Sequence, residues 1–284
     1  MKTISGFVAR MLHYEDLTNP QLMHATPVVV RVDALNYNDF VVEVPSQYRN
    51  CCQRAWLSTM KAMMPRIAGA ALGYWQTDEL VFIIMDTANG SVWMNREAQR
   101  TASVAASLAT MLFNETLRKL VEEQHMIAGD SFSDVDAYHA MLGNIHLLFH
   151  CVAYAVPAHE VTNVLMWRQQ RAQGRVVQRE AAKRYPQEQI QGHNLVELRE
   201  MLALNNVDWE STVTQEERNG CLCYYDALNT GAEPELILER KTPNFGEDRR
   251  YLTAKIYGRR SNGDAAVDIT AEELSFVDED NKGE

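Results

Sequence analysis

Apolar positions along this chain change period several times, and each change marks an element. Thr26–Val32 (TPVVVRV) is a short β-branched run that reads as a strand and leads directly into Asp33. Arg49–Met64 places Cys52, Ala55, Trp56, Thr59, Met60 and Met63 on one helical face, and Pro65 ends it. Ala70–Trp75 and Leu80–Met85 are two further strand-like runs, and the polar Gln76–Glu79 between them reads as a hairpin turn. Asn95–Glu123 carries Ala98, Ala102, Ala105, Leu108, Ala109 and Leu112 at helical spacing, small residues suited to close packing on a sheet. Leu147–Val156 reads as another strand. Pro157–Glu160 opens a helix that continues over Val161–Tyr185, with Gly174 a weak point and Pro186 the stop. Leu195–Leu204 follows as a short amphipathic helix. Cys221–Leu228, Glu235–Arg240 and Tyr251–Gly258 are expected strands.

The first half therefore orders as strand, helix, strand–turn–strand, helix, strand. That is the βαββαβ order of an α+β, ferredoxin-like palm. The expected division is a palm core over residues 1–160, a helical fingers-like segment over 161–230 that completes the catalytic domain, and a C-terminal β extension over 231–284 ending in an acidic tail. Met1–Ala25 reads as an irregular or helical lead-in, and Ala34–Phe40 as a turn.

Within this frame two acids stand out. Asp33 ends an apolar strand, and Asp78 with Glu79 sits at the hairpin turn, so both would lie at the rim of a buried sheet. An isolated Thr-Asp-Glu turn is ordinarily solvated. Here it has an upstream partner, Asp33, on a neighbouring central strand. Two such carboxylates can hold a pair of divalent ions roughly 3.5–4 Å apart. Magnesium takes hard oxygen ligands and keeps several waters, so few protein ligands suffice. The backbone amides of Ala34–Phe40 could form a small nest toward a triphosphate.

Charge and cysteine content narrow the picture further. The 284 residues are 46% hydrophobic and carry a net charge of −11. Ser261–Glu284, with eight acids and one lysine, holds −7 of it and leaves −4 on the rest. A generally basic nucleic-acid binder is excluded. Arg168–Arg184 nevertheless has six basic residues and one acid, and Arg168, Arg171, Arg175 and Arg179 recur on one helical face, a phosphate or RNA contact surface as readily as a solvated one. Five cysteines, odd in number and without zinc spacing, fit free structural thiols. No apolar run reaches the roughly 18 residues of a membrane span, and no signal-peptide core opens the chain, so a cytoplasmic protein is expected. Gly129–Asp136 lacks the glycine and terminal glutamate of a calcium loop, and His139, His146 and His150 read as structural.

With these pieces placed, the chain resembles the tRNA-histidine guanylyltransferase family of 3′-to-5′ nucleotide polymerases. The resemblance rests on VVVRVDALNYNDF, GYWQTDELVF, NREAQRTASVAASLAT and PAHEVTNVLMWRQQ, with Asp33 and Asp78 45 residues apart. It implies a nucleotidyltransferase with catalytic Asp33, Asp78 and Glu79. Two Mg2+ ions would be held by Asp33, Asp78 and the Ala34 carbonyl. GTP or ATP would be bordered by the Leu35, Asn36, Tyr37 and Asn38 backbone, Thr77 and Arg100. The implied partners are nucleoside triphosphates and a tRNA or other RNA 5′ end, with no membrane, and the implied assembly is a dimer or tetramer. The chain departs from the family at Ala34 and Val44. After Trp167-Arg168-Gln169, Gln170–Val176 stands where the family carries Asp and a His-x-Asn-Asn run, and Glu197–Arg199 stands in place of Lys-Asn-Glu. Two other readings stay open: a palm enzyme or cyclase acting on nucleotides or another non-tRNA acceptor, and a non-catalytic binding protein.

Overall fold

In the computed structural model, which describes residues 6–17, 19–85, 93–128, 135–226 and 234–257, the chain divides into two units. The first comprises Met1–Gly73 and Asp78–Val156, and the second Tyr74–Thr77 and Pro157–Glu284. The first unit carries helix α1 (Gly6–Asp16), strand β1 (Val28–Ala34), helices α2 (Tyr37–Glu43) and α3 (Arg49–Met63), strands β2 (Ala70–Gln76) and β3 (Glu79–Ile84), helices α4 (Ala98–Ala128) and α5 (Val135–Asn144), and strand β4 (Phe149–Ala155). Its strands lie in the order β4-β1-β3-β2, with β1 antiparallel to both β3 and β4. This is the βαββαβ palm arrangement expected from the order of elements.

The central strands β1 and β3 are near-continuous apolar runs because both their faces are covered. Val28, Val29, Val30 and Val32 are buried, as is every residue of β3. Helices α3 and α4 pack on one another, and α4 also packs on β1 and β4. The centre of this layer is aromatic. Trp56 of α3 stands 4.8 Å from Phe113 of α4 and 5.4 Å from Phe149 of β4, in tilted and edge-on geometries. The predicted α3 stripe is buried throughout. On α4 the deepest positions are Thr101, Ala105, Ala109, Phe113, Leu117 and Val121, and the small residues at Ala105 and Ala109 let the helix approach the sheet.

The second unit contains helices α6 (Glu160–Ala182), α7 (Gln187–Ile190), α8 (Leu195–Leu204), α9 (Trp209–Thr212) and α10 (Gln215–Asn219), strands β5 (Cys221–Tyr225) and β6 (Leu236–Glu239), and helix α11 (Arg249–Tyr257). Helix α6 packs on α8 through Val177, Ala181, Leu198 and Leu202. A Cβ at Gly174 would stand 3.2 Å from a Leu195 methyl, so a hydrogen at that position lets the helices meet. Gln169 is buried and structural: its amide nitrogen donates to the carbonyls of Asn219 (2.9 Å) and Pro243 (3.1 Å), and its oxygen accepts from Phe245 N–H (2.7 Å).

Several sequence expectations are corrected. Tyr251–Gly258 is not a strand: residues 251–257 belong to α11, and Gly258 lies outside the described residues. Leu252 and Ile256 share one buried face at i, i+4, and Asp248 accepts from Tyr251 N–H at 3.1 Å as a helix cap. Ala34–Phe40 is not one long turn: β1 includes Ala34, and α2 begins at Tyr37 because Phe40 buries its ring on the core side. The hairpin turn is two residues, Thr77 and Asp78, since Gln76 and Glu79 are in strands. Helix α5 was not anticipated. Most of the Gly129–Asp136 loop, and the C-terminal acidic tail, lie outside the described residues.

Gly220, at the end of α10, has φ +75°, and a Cβ there would stand 2.4 Å from the Trp75 carbonyl oxygen. Gly220→Ala is expected to lower stability by about 2–4 kcal/mol, read as a lower urea midpoint at unchanged slope.

Candidate active site at the end of the central strands

Strand β1 carries its polar residues at its C-terminal end, on alternate positions. Arg31 and Asp33 are two apart and so share a face. The register sets Asp33 directly opposite Glu79 on β3 and His150 on β4. Beyond Asp33 one more backbone bond closes the strand ends: Ala34 N–H donates to the Asp78 carbonyl at 3.0 Å. Asp33, Ala34, Asp78 and Glu79 are thus brought together across the end of β1 and β3, although 45 residues separate the two aspartates in the chain.

The side chains form a charged group. Arg31 Nη1 lies 2.6 Å from Asp33 Oδ1 and 3.9 Å from Glu79 Oε2, and His150 Nδ1 lies 3.6 Å from Asp33 Oδ1. The Asp33 side chain is 26% exposed, whereas that of Glu79 is 2% exposed. A carboxylate so far from water needs hydrogen bonds or a positive partner nearby. His150 and Arg31 are the residues that sequence reasoning missed. His150 lies opposite Asp33 rather than serving only to pack, and Arg31 was passed over as part of a strand run. The R-x-D spacing was a usable signal for the second; only the β1–β4 register reveals the first.

The candidate nucleotide-binding backbone is partly committed. Leu35 N–H donates to the Leu148 carbonyl at 2.8 Å, and Ala34 N–H to Asp78. Asn36 turns the chain with φ 55°, after which the first intrahelical bond of α2 runs from Phe40 N–H to the Asn36 carbonyl at 3.1 Å. The amides of Asn38 and Asp39 precede the first intrahelical bond of this turn. The Tyr37 ring packs inward, 5.3 Å from Trp56. Arg100 is exposed on α4 and pairs with Glu97 at 3.7 Å.

Within the second unit, Thr77 adopts φ 56°, a conformation that costs a β-branched residue energy. Arg175 Nη2 donates to its Oγ1 at 3.1 Å. The preceding residue, Gln76, is buried and donates from its amide nitrogen to the carbonyls of Glu217 (3.2 Å) and Arg218 (2.7 Å). The arginine stripe of α6 is not one surface. Arg168 is buried against Trp167, Arg171 is exposed with its guanidinium 5.3 Å from the same ring, Arg175 serves Thr77, and Arg179 bonds Glu217 at 2.9 Å. Helix α6 is buried on too many sides to leave a single solvated stripe.

Among the described residues, no three His, Cys, Asp or Glu side chains are grouped as a metal ion would require. The donor chemistry still fits magnesium. Asp33, Asp78 and the Ala34 carbonyl supply hard oxygens from adjoining positions, although Arg31 holds one of Asp33's oxygens.

A palm sheet with acids at the end of its central strands is the architecture of a nucleotidyltransferase, and similarity to known proteins agrees. The family model described as tRNAHis guanylyltransferase matches residues 8–139. A bacterial tRNA(His) guanylyltransferase (Thg1)-like protein solved in complex with ATP superimposes with a TM-score of 0.71 at 25% identity, over 89% of this chain and 100% of that one. A bacterial Thg1-like protein in complex with GTP gives 0.63 at 22% identity with the same coverage. The tRNA(His) guanylyltransferase of Saccharomyces cerevisiae gives 0.56 at 14%, over 86% of this chain and all of that one; these two support the fold alone. No curated protein matches the sequence significantly. Over residues 8–139 the chain is similar to the tRNAHis guanylyltransferase family, a family of nucleotidyltransferases.

Cys151 pairs with Val32, one position before Asp33. Burial pushes its thiol up to about 12, against the opposing pull of Arg31. Its thiolate is therefore scarce at pH 8, and Cys151 is expected to stay unlabelled by Ellman's reagent in the folded protein and to react at once in urea, as followed by peptide mapping.

Proposed function

We propose that this chain is a magnesium-dependent nucleotidyltransferase that joins a nucleotide from GTP or ATP to an RNA 5′ end. The observation that carries the reading is the junction of Asp33 and Asp78 through the Ala34–Asp78 backbone bond and the Asp33–Glu79 register. The relative solved with ATP supports a nucleotide as substrate. Asp33, Asp78 and the Ala34 carbonyl would hold the metal. When bound, magnesium would supply an activated hydroxyl nucleophile and charge neutralisation at the triphosphate. The chain's own residues supply position. The Asn38 and Asp39 amides, ahead of the first bond of α2, would face the phosphate oxygens. Buried Glu79 keeps the negative field at the strand end. Arg100 and Arg171, both exposed cations, are available to a polyanionic substrate. In the same reading the protein works in the cytoplasm as a homo-oligomer.

One observation favours a changed acceptor. Where the family carries its His-x-Asn-Asn run, this chain buries Ala172, Gly174, Val176 and Val177 as core, and Gly174 packs against Leu195. A polar substrate-positioning segment has become a helix–helix contact, so the acceptor in this reading is an RNA 5′ end other than that of histidine tRNA.

The test uses each labelled nucleoside triphosphate with magnesium, alone and with 5′-phosphorylated tRNAs. Nucleotide joined to RNA is expected. Products formed equally without RNA would point instead to a cyclase or small-molecule acceptor, and no pyrophosphate in any mixture to a binding protein. Asp78→Asn is expected to lower kcat by at least about a hundredfold with the fold intact by circular dichroism.

A further inference from the structure

The cation standing at the candidate carboxylates belongs to the protein. Arg31 Nη1 is 2.6 Å from Asp33 Oδ1, within charge-assisted hydrogen-bond distance, and reaches toward Glu79 at 3.9 Å. Strand geometry makes this arrangement local and durable: Arg31 lies two positions before Asp33 on the same face, and Asp33 is registered against Glu79. The oxygen that Arg31 engages is also the one nearest His150 Nδ1, at 3.6 Å. Asp33 Oδ1 therefore sits within reach of two basic side chains.

We propose, resting on the reading of Asp33 as a magnesium ligand, that Arg31 is the resident counter-ion of this site, which yields Asp33 when a divalent ion binds. Two physical arguments support it. A guanidinium at 2.6 Å occupies one of the two carboxylate oxygens that a metal could take. A dication within about 4 Å of a guanidinium also repels it, and the repulsion grows as the surroundings lose water. Displacement is feasible because the pair is partly exposed, at 23% for Arg31 and 26% for Asp33, and such pairs are weak. Metal affinity is then a competition, and Arg31 sets the metal concentration at which the site fills. Arg31 acts through Asp33 and is a positioning residue rather than a catalytic one.

The test follows metal binding and Arg31 separately in the full chain. Nitrogen-15 spectra resolve arginine side-chain N–H signals, and the Arg31 signal is assigned by its loss in Arg31→Lys and Arg31→Met. During magnesium titration of the wild-type protein that signal is expected to shift along the binding curve. Manganese binding, counted by electron paramagnetic resonance, is expected to tighten roughly five- to tenfold in Arg31→Met, the size of an ordinary coupling between two ligands. An Arg31 signal that stays fixed while metal binds overturns the inference and leaves the magnesium reading standing. Weaker manganese binding in Arg31→Met also overturns it, since it would show Arg31 supporting the bound metal. Metal binding to none of the proteins overturns the inference and the magnesium reading together.

Discussion

The pairing of β1 with β3 is the constraint on which everything else depends. Register in a sheet with both faces buried is strongly specified, because a one-residue slip would send buried valines toward the wrong layer. The same register that buries Val28, Val30 and Val32 sets Asp33 against Glu79, and the next backbone bond ties Ala34 to Asp78. The acids need no interaction of their own to meet: the hydrophobic run positions them at the end of the sheet, Asp33 partly exposed and Glu79 buried. A functional site at the end of a core strand inherits the rigidity of that core.

That inheritance explains how much of the molecule was legible beforehand. Asp33 and Asp78 could be read because each follows or precedes a run whose burial is unmistakable, and the βαββαβ order could be read because its periods alternate cleanly. His150 could not be read with them, since a cross-strand neighbour depends on a register that composition does not reveal, whereas Arg31, two positions before Asp33 on the same strand, was legible in the R-x-D spacing. Helix α11 was mistaken for a strand because Tyr251, Thr253, Ile256 and Tyr257 all favour extended backbone. The Leu252–Ile256 spacing and the Asp248 cap outweighed that preference. The α6 arginines were read as one face by counting residues. Counting fails when a helix is packed on several sides, as the burial of Arg168 shows.

The two ends of the Gln76–Glu79 stretch are held by different means. Its leading side is fixed by side chains, with Gln76 on the carbonyls of Glu217 and Arg218 and Arg175 on Thr77. Its trailing side is fixed by the sheet ladder. The left-handed Thr77 is held on its leading side by the Gln76 bonds and by Arg175 on its hydroxyl.

Gly174 has a consequence for how this sequence can be altered. The space a side chain would need there is bordered by Leu195 from the neighbouring helix, 3.2 Å from a Cβ, and Leu195 is itself partly exposed. The two positions are therefore coupled: a residue larger than glycine at 174 needs a shift of the Leu195 side chain or a smaller residue at 195, and the stability effects of the two substitutions would not add.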